Sequence, residues 1–405
     1  MSVPLGVGLV GAGRFGRFLT AAMADLTDVR LVVVADTDPS RAGAVADELG
    51  VRPATRWQEM LTDTKVDVVV VATPPSSHAT IAHAALDSGR HVLCEKPLAT
   101  DAASAAAVRV AAEQSGRVLV VDHVLRYNPL LRALVALQAS LLGPLQRFSF
   151  ENDASDEDLL PDHWFWQEEM SGGIFVEHGV HFFDAAHLLA GSLPEAVQAM
   201  SAARHDGTVD LVSATTRHQG GLLAGFTHGF SHARRCERQL MRLDHGTAEV
   251  RVEGWIPVRA VIDAWTDDAG ADVASALPHR AGELLAVDGH RLDPAAAITV
   301  QVQRNAAAVT AVGRGRTHVV PHRVRVELTL GGPAAKEKVY AESVRAAVAD
   351  LVRCASTGAT PRSGAHEGWA SVVVADAARQ AAADGTTVHL DPWPSAATDR
   401  LVRSA

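Results

Sequence analysis

Short, mostly apolar runs with little alternation recur through the first third of the chain: LGVGLV at 5–10, VRLVVVAD at 29–36, VDVVVVAT at 66–73, HVLCEKP at 91–97 and RVLVVDH at 117–123. Strands buried on both faces of a parallel sheet read this way, because neither face meets water. Between the runs the apolar spacing turns helical. Phe15, Leu19 and Met23 follow the first run, PPSSHATIAHAALDSG opens with a turn and a serine cap, and a helix is predicted over 102–114. Strand–helix alternation predicts an α/β fold with a doubly wound parallel sheet, whose ligands sit beyond the carboxyl ends of the strands.

The pattern changes after residue 123. NPLLRALVALQASLLGPL is amphipathic, with Pro129 near its start and Gly143 just past its end, and predicts a helix. LQRFSFENDASDEDLLPDHWFWQEEMSGG reads as a strand followed by a long acidic loop. TVDLVSATTRHQGGLLAGFTHGF has the alternation and Gly-Gly turn of a hairpin, and strand-like runs continue to HRVRVELTL. The stretch 267–294 is polar, rich in Gly and Ala and weakly periodic, as an insertion would be. These shifts predict a nucleotide-binding domain at 1–123, a second domain at 124–395 for substrate binding and oligomerisation, and a tail at 396–405. Open sheets tend to pair through their exposed faces, so a homodimer or homotetramer is expected.

Composition narrows the function. The chain has 405 residues, 47% hydrophobic and 21% charged, with a formal net charge of -10. That argues against nucleic acid or an anionic membrane as partner. No apolar stretch is long enough to span a bilayer, and MSVPLGVGLVGAGRFG has no basic segment before its apolar run, so no signal peptide is expected. Cys94, Cys236 and Cys354 are odd in number and far apart, which fits a reducing, cytoplasmic compartment. The partner expected is a small-molecule substrate.

The most specific chemical signal follows the first run. GAGRFG sets Gly11, Gly13 and Gly16 in G-x-G-x-x-G order between a strand and a helix, and Asp36 ends the next strand twenty residues later. In that context Gly11 permits the tight turn, Gly13 lets backbone approach a pyrophosphate and Gly16 lets helix and strand pack closely. The helix N-terminus attracts the phosphates. Asp36 would accept ribose hydroxyls and repel a 2′-phosphate, favouring NAD. Arg14 and Arg41 lie near enough that NADP is not excluded. Arg14 and Phe15 belong to the same loop, and Thr73, Pro74, His78 and Glu95 lie at later strand ends, so these too are cofactor-binding candidates.

GGIFVEHGVHFFD, at 172–184, gathers a Glu, two His and an Asp. With GAGRFG, ATPPSSH, CEKPLA and HVLRYNP in order, and with two long helical segments near the C-terminus, the chain resembles the Gfo/Idh/MocA oxidoreductases over nearly its whole length. The resemblance implies an N-terminal Rossmann domain and a C-terminal α+β domain with a large open, mostly antiparallel sheet. It also implies that Lys96 of the EKP motif contacts substrate and nicotinamide, and that Glu177 and His181 stand where the family has an Asp and a His. Here the acid is Glu, and His178 follows it.

General chemistry agrees with those roles. Oxidising an alcohol needs a base for the hydroxyl proton, and an imidazole titrates near working pH. Lys96 can stabilise charge on the oxygen. Glu177 and His181 are four apart, on one helical face, and Asp184 could orient His181. His123, Arg126, Tyr127, Trp164, Trp166 and His178 are further substrate-site candidates. The histidines match no recognised metal spacing, so no metal is expected. Three activities remain open: an NAD-dependent dehydrogenase acting on a CH–OH group of a sugar, cyclitol or related metabolite; a redox-neutral lyase, epimerase or glycosidase-type enzyme with tightly held NAD and a transient ketone; and a nucleotide-sensing protein without turnover.

Overall fold

The computed structural model describes residues 3–332, 334–390 and 393, so the expected tail at 396–405 lies outside the described residues. The chain folds as two units. One comprises Met1–Val124, Pro161–Asp184 and Ala341–Asp376; the other comprises Leu125–Leu160, Ala185–Tyr340 and Ala377–Ala405.

The first unit opens with β1 (Leu5–Val10), α1 (Arg14–Met23), β2 (Val29–Ala35), α2 (Pro39–Leu49) and β3 (Arg52–Ala54). It continues through β4 (Val68–Val71), α3 (His78–Asp87), β5 (His91–Cys94), α4 (Ala102–Ser115) and β6 (Leu119–Val121). The six strands are all parallel in the order β3-β2-β1-β4-β5-β6. Order reverses between β1 and β4, so the loops leaving those strands diverge and open a crevice at their carboxyl ends. Leu9, Val33, Val34, Val69, Val71, Val92 and Val120 are fully buried, which is why these strands read as unbroken apolar runs. Asp38 caps α2 through the Ser40 and Arg41 amides and Asp101 caps α4 through Ser104. The short β3 adds an edge strand that the apolar pattern does not show.

The chain then runs through α5 (Pro129–Leu137), β7 (Arg147–Asp153), α6 (Glu168–Ser171), α7 (Val180–Ala190), β8 (Pro194–Ala203), β9 (Val209–His218), β10 (Leu223–Gly229), β11 (Arg238–Asp244), β12 (Ala248–Glu253) and β13 (Arg259–Thr266). After these come α8 (Asp268–Ala276), α9 (Ala281–Leu284), β14 (Ala297–Gln303), β15 (Thr310–Gly313), β16 (Arg316–Val319), β17 (His322–Thr329), α10 (Ala335–Thr357), α11 (Ala365–Asp384) and β18 (Val388–His389).

The second unit holds a ten-stranded sheet in the order β14-β17-β13-β12-β11-β7-β10-β9-β8-β18. All its neighbours are antiparallel except β7 and β10. In β9 residues alternate strictly between exposed and buried, so the sheet covers one face and leaves the other to solvent. The predicted hairpin forms as β9 and β10. The predicted amphipathic helix forms as α5, closed by a π turn at Gln138–Leu142 and Gly143. The stretch 267–294 is not a plain loop. Asp267 caps α8 through the Gly270 amide, and Ala271, Ala274 and Leu277 are buried.

Candidate active site

The glycine loop links β1 to α1. Gly11 has φ +101°, and a Cβ there would lie 2.4 Å from the Ala72 carbonyl oxygen. A Cβ on Gly16 would lie 2.0 Å from the carbonyl oxygen of Gly11, so the helix could not pack this closely onto the loop. Gly13 differs: nothing lies within 4 Å of its would-be Cβ, and it stands at the N-cap of α1 with no capping side chain and no acid in the first turn. That combination leaves open space and undirected helix amides, which fits a pyrophosphate. Arg14 is exposed and Phe15 is half-buried.

Asp36 leaves the end of β2 and takes the Ala12 amide at 2.8 Å on one carboxylate oxygen and the Asp38 amide at 2.9 Å on the other. It therefore tethers the glycine loop. Each oxygen keeps a lone pair for a ribose hydroxyl. Arg41 stands nearby, 3.4 Å from Asp38.

After β4, Thr73 Oγ1 accepts from Ser77, and Pro74 begins the turn into α3. His78 is buried with Nδ1 2.7 Å from the Pro97 carbonyl and Nε2 2.7 Å from the Thr73 carbonyl. It ties the turn after β4 to the turn after β5 rather than projecting into open space. Burial holds its pKa below the ordinary value while the two carbonyls pull upward, and Lys96 adds to the lowering.

Lys96 follows β5, in a cis peptide with Pro97. It is not a solvated strand-end lysine. Its Nζ donates to Glu177 Oε1 at 2.7 Å and to the Glu177 carbonyl oxygen at 3.0 Å. The two side chains are only 15% and 13% exposed. Glu177 sits in a π turn at Phe175–Gly179 that leads into α7, not in a plain α-helix. Such wide turns recur at functional sites. Glu177, which stands where the family has an Asp, thus grips the lysine.

The same turn carries His178, whose ring centroid is 6.3 Å from that of His181 and 5.4 Å from that of Phe182. Burial, with Lys96 adding to it, pushes the His178 imidazole down to about 3, so it is neutral at neutral pH. His181 and Asp184 are both buried. Trp164 and Trp166 are half-buried in a single 3-10 turn ahead of α6, and α6 reaches the turn after β4 through Met170 and Ser76. The structure therefore gathers the glycine loop, Asp36, Thr73, His78, Lys96, Glu177, His178, His181, Asp184 and the two tryptophans in one unit.

Other candidates are placed differently. His123 is buried in the first unit with Nε2 3.0 Å from Ser371 on α11. Arg126 and Tyr127 belong to the second unit, where both are buried. Among the described residues no group of three or more His, Cys, Asp or Glu is placed to hold a metal.

Sequence reasoning missed Asp122. It follows β6 as Glu95 follows β5, and both are buried, at 2% and 9% exposure. Acids ending three strands of one parallel sheet (Asp36, Glu95, Asp122) were a signal available in the sequence.

Comparison with known proteins agrees with this architecture. Residues 5–123 match the model of the oxidoreductase family with an NAD-binding Rossmann fold, and residues 131–250 match the Gfo/Idh/MocA C-terminal domain. The chain is 31% identical to a D-xylose 1-dehydrogenase (NADP(+)) of Haloferax volcanii, across 55% of this chain and 69% of that protein. It is 30% identical to an inositol 2-dehydrogenase of Rhizobium meliloti, across 50% of this chain and 60% of that protein. Among solved structures, levoglucosan dehydrogenase in complex with NADH and L-sorbose has the same fold, with a TM-score of 0.74, 19% identity and coverage of 96% of this chain and 100% of that one. The glycine loop, the strand-end lysine and both matched domains make this chain a member of the Gfo/Idh/MocA family of NAD(P)-dependent oxidoreductases.

Proposed function

We propose that the protein is a dehydrogenase that moves hydride between NAD and a CH–OH carbon of a sugar or cyclitol. The observation that carries this reading is Lys96, desolvated at the end of β5 and held by Glu177 at 2.7 Å. Bound nicotinamide supplies the hydride acceptor. The α1 N-terminus and Gly13 hold the phosphates, and Asp36 takes the ribose hydroxyls. Lys96 donates to the substrate oxygen as negative charge grows there. His181 takes the hydroxyl proton, and Glu177 aims the ammonium. Xylose and inositol dehydrogenases among the relatives support a polyhydroxylated substrate. Met200, Leu211 and Leu223 point outward from the second unit's sheet and support self-association as a homodimer or homotetramer.

The redox-neutral alternative needs a second base to remove a proton beside a transient ketone. His178 is the candidate, but an imidazole pushed down to about 3 is a poor base at neutral pH. The dehydrogenase reading is therefore preferred. The test is to denature freshly purified protein, measure released NAD(H) and NADP(H) per chain, and then follow nicotinamide reduction with aldoses and cyclitols. Lys96→Ala and His181→Ala should each lose turnover by orders of magnitude while still folding. Full activity of either variant would remove that residue from the mechanism.

A further inference from the structure

We propose that the second unit holds a second ligand site, built by other residues than the dehydrogenase centre, that takes a small phosphorylated sugar. It is a cavity of about 720 Å³ whose walls include His245, Trp265, Asp267, Arg314, Arg316 and His318. That volume suits a small metabolite. All six residues belong to the second unit, whereas Lys96, Glu177 and His181 belong to the first. The proposal therefore does not depend on the role of Lys96.

One wall is a ribbon of two strands, β15 and β16, paired with each other. Gly313 pairs with Arg316, so Arg314 and Gly315 make a two-residue turn with φ +49° and +73°. Among the described residues Arg314 is the only non-glycine at positive φ. Such turns ordinarily take Asn, Asp or Gly at that position. A long side chain there is strained, and strain of this kind clusters at ligand clamps. The turn carries Arg314 Nη2 to the connection between β9 and β10, 3.6 Å from where a Cβ on Gly221 would stand. Arg314 and Arg316 are exposed and make no hydrogen bond or ion pair among the described residues. Their neighbours Arg304, Arg323 and Arg325 all pair with acids. In a chain with a net charge of -10, two guanidiniums left unpaired on one turn point to an anionic ligand, and their forked donors match a phosphate.

The rest of the wall supplies acceptors. His245 is 3% exposed, with Nδ1 2.8 Å from the Gly143 carbonyl oxygen. A carbonyl only accepts, so Nδ1 carries the proton and Nε2 is left as an acceptor. Burial holds this imidazole below its ordinary value, against the upward pull of the Gly143 carbonyl, so it is neutral at neutral pH. Nε2 has no hydrogen-bond partner among the described residues. Asp267 spends one carboxylate oxygen on the Gly270 amide as the cap of α8, which leaves the other for a donor. Both groups call for ligand hydroxyls. Trp265 is 48% exposed and offers an indole face to the carbon side of a sugar ring. A free phosphate would use the guanidiniums alone; a sugar phosphate uses all three kinds of wall.

The experiment uses the full-length protein with NAD present, so that the glycine loop does not compete for phosphate. Calorimetric titrations at fixed ionic strength compare glucose 6-phosphate, fructose 6-phosphate, ribose 5-phosphate, glucose and inorganic phosphate. At least one sugar phosphate should bind, inorganic phosphate more weakly, and glucose not measurably. Combining Arg314→Gly with Arg316→Gln should weaken the sugar phosphate by roughly tenfold or more. The melting midpoint should stay at or above the parent value, because glycine suits the turn. Trp265→Leu should weaken the sugar phosphate and leave inorganic phosphate unchanged. Failure of all three sugar phosphates to bind, or equal affinity in the parent and the double arginine variant, overturns the proposal. Inorganic phosphate binding as tightly as the sugar phosphates overturns the sugar half of it. If no sugar or cyclitol is oxidised yet these titrations behave as expected, the dehydrogenase reading fails and this site stands.

Discussion

Lys96 and Glu177 are 81 residues apart in sequence and 2.7 Å apart in space. The contact joins the strand end of the nucleotide-binding sheet to the π turn before α7. It makes the lysine's aim depend on a segment far along the chain. Glu177→Gln keeps an acceptor but loses the charge, so it should lower kcat more than it raises KM for NAD. Lys96→Ala leaves a largely buried carboxylate without its cation. Breaking a fully buried pair costs roughly 3–5 kcal/mol, and some exposure here should reduce that. Urea titration of both variants checks the order: the lysine variant should be the less stable. Equal stability would mean the pair is not held in solution.

The two later glycines of the loop should separate folding from binding. Gly16→Ala would drive a methyl group into the Gly11 carbonyl, a backbone atom that cannot step aside, so the thermal midpoint should fall by several degrees or more. Gly13→Ala meets no atom within 4 Å, so its midpoint should stay near the parent value. Its NAD affinity should fall, because the methyl group occupies the space a pyrophosphate needs. Melting curves with and without NAD test both. An NAD-induced rise of normal size in Gly13→Ala would contradict the placement of the phosphates.

Much of the first unit was legible because its physics is local. Buried parallel strands must be apolar throughout, and a phosphate-binding turn needs glycines at set spacing, so β1, β2, β4 and β5 and the loop at Gly11 could be read directly. The placement of Glu95 beside Asp122 could not, because it depends on β5 and β6 being neighbours and on Cys94 facing Val121. The π turn was hidden for a related reason. Glu177 and His181 have ordinary helical spacing, and only the structure shows the wider turn at Phe175–Gly179. The helix α8 escaped notice because it buries Ala271 and Ala274, whose small side chains give little amphipathic contrast.

Asp36 has two duties, and its replacement should show both. It accepts the Ala12 and Asp38 amides, so Asp36→Ala should cost about 1–3 kcal/mol by leaving donors unmet. It should also weaken NAD more than NADP, since the carboxylate that accepts ribose hydroxyls and repels a 2′-phosphate is gone. Fluorescence titration with each nucleotide gives the ratio. A variant that loses both affinities equally would limit Asp36 to holding the loop.

His218 supplies a pH test in the second unit. It is buried with Nδ1 3.1 Å from the Ser192 carbonyl, and burial drives it down to about 4. In the unfolded chain a histidine titrates near 6.5. Between those values the unfolded chain holds a proton that the folded chain refuses, so unfolding is favoured as pH drops. The contribution is complete above about 6.5 and is lost at roughly 1.4 kcal/mol per pH unit down to about 4. Glu95 and Asp122 act in the opposite sense, since their raised values let the folded chain keep protons longer, but that background is common to parent and variant. Urea unfolding at pH 7, 6 and 5 should therefore show a shallower acid loss in His218→Gln than in the parent. Parallel slopes would mean that His218 takes its proton in the folded state, and that the site between Ser192 and Thr216 opens to water.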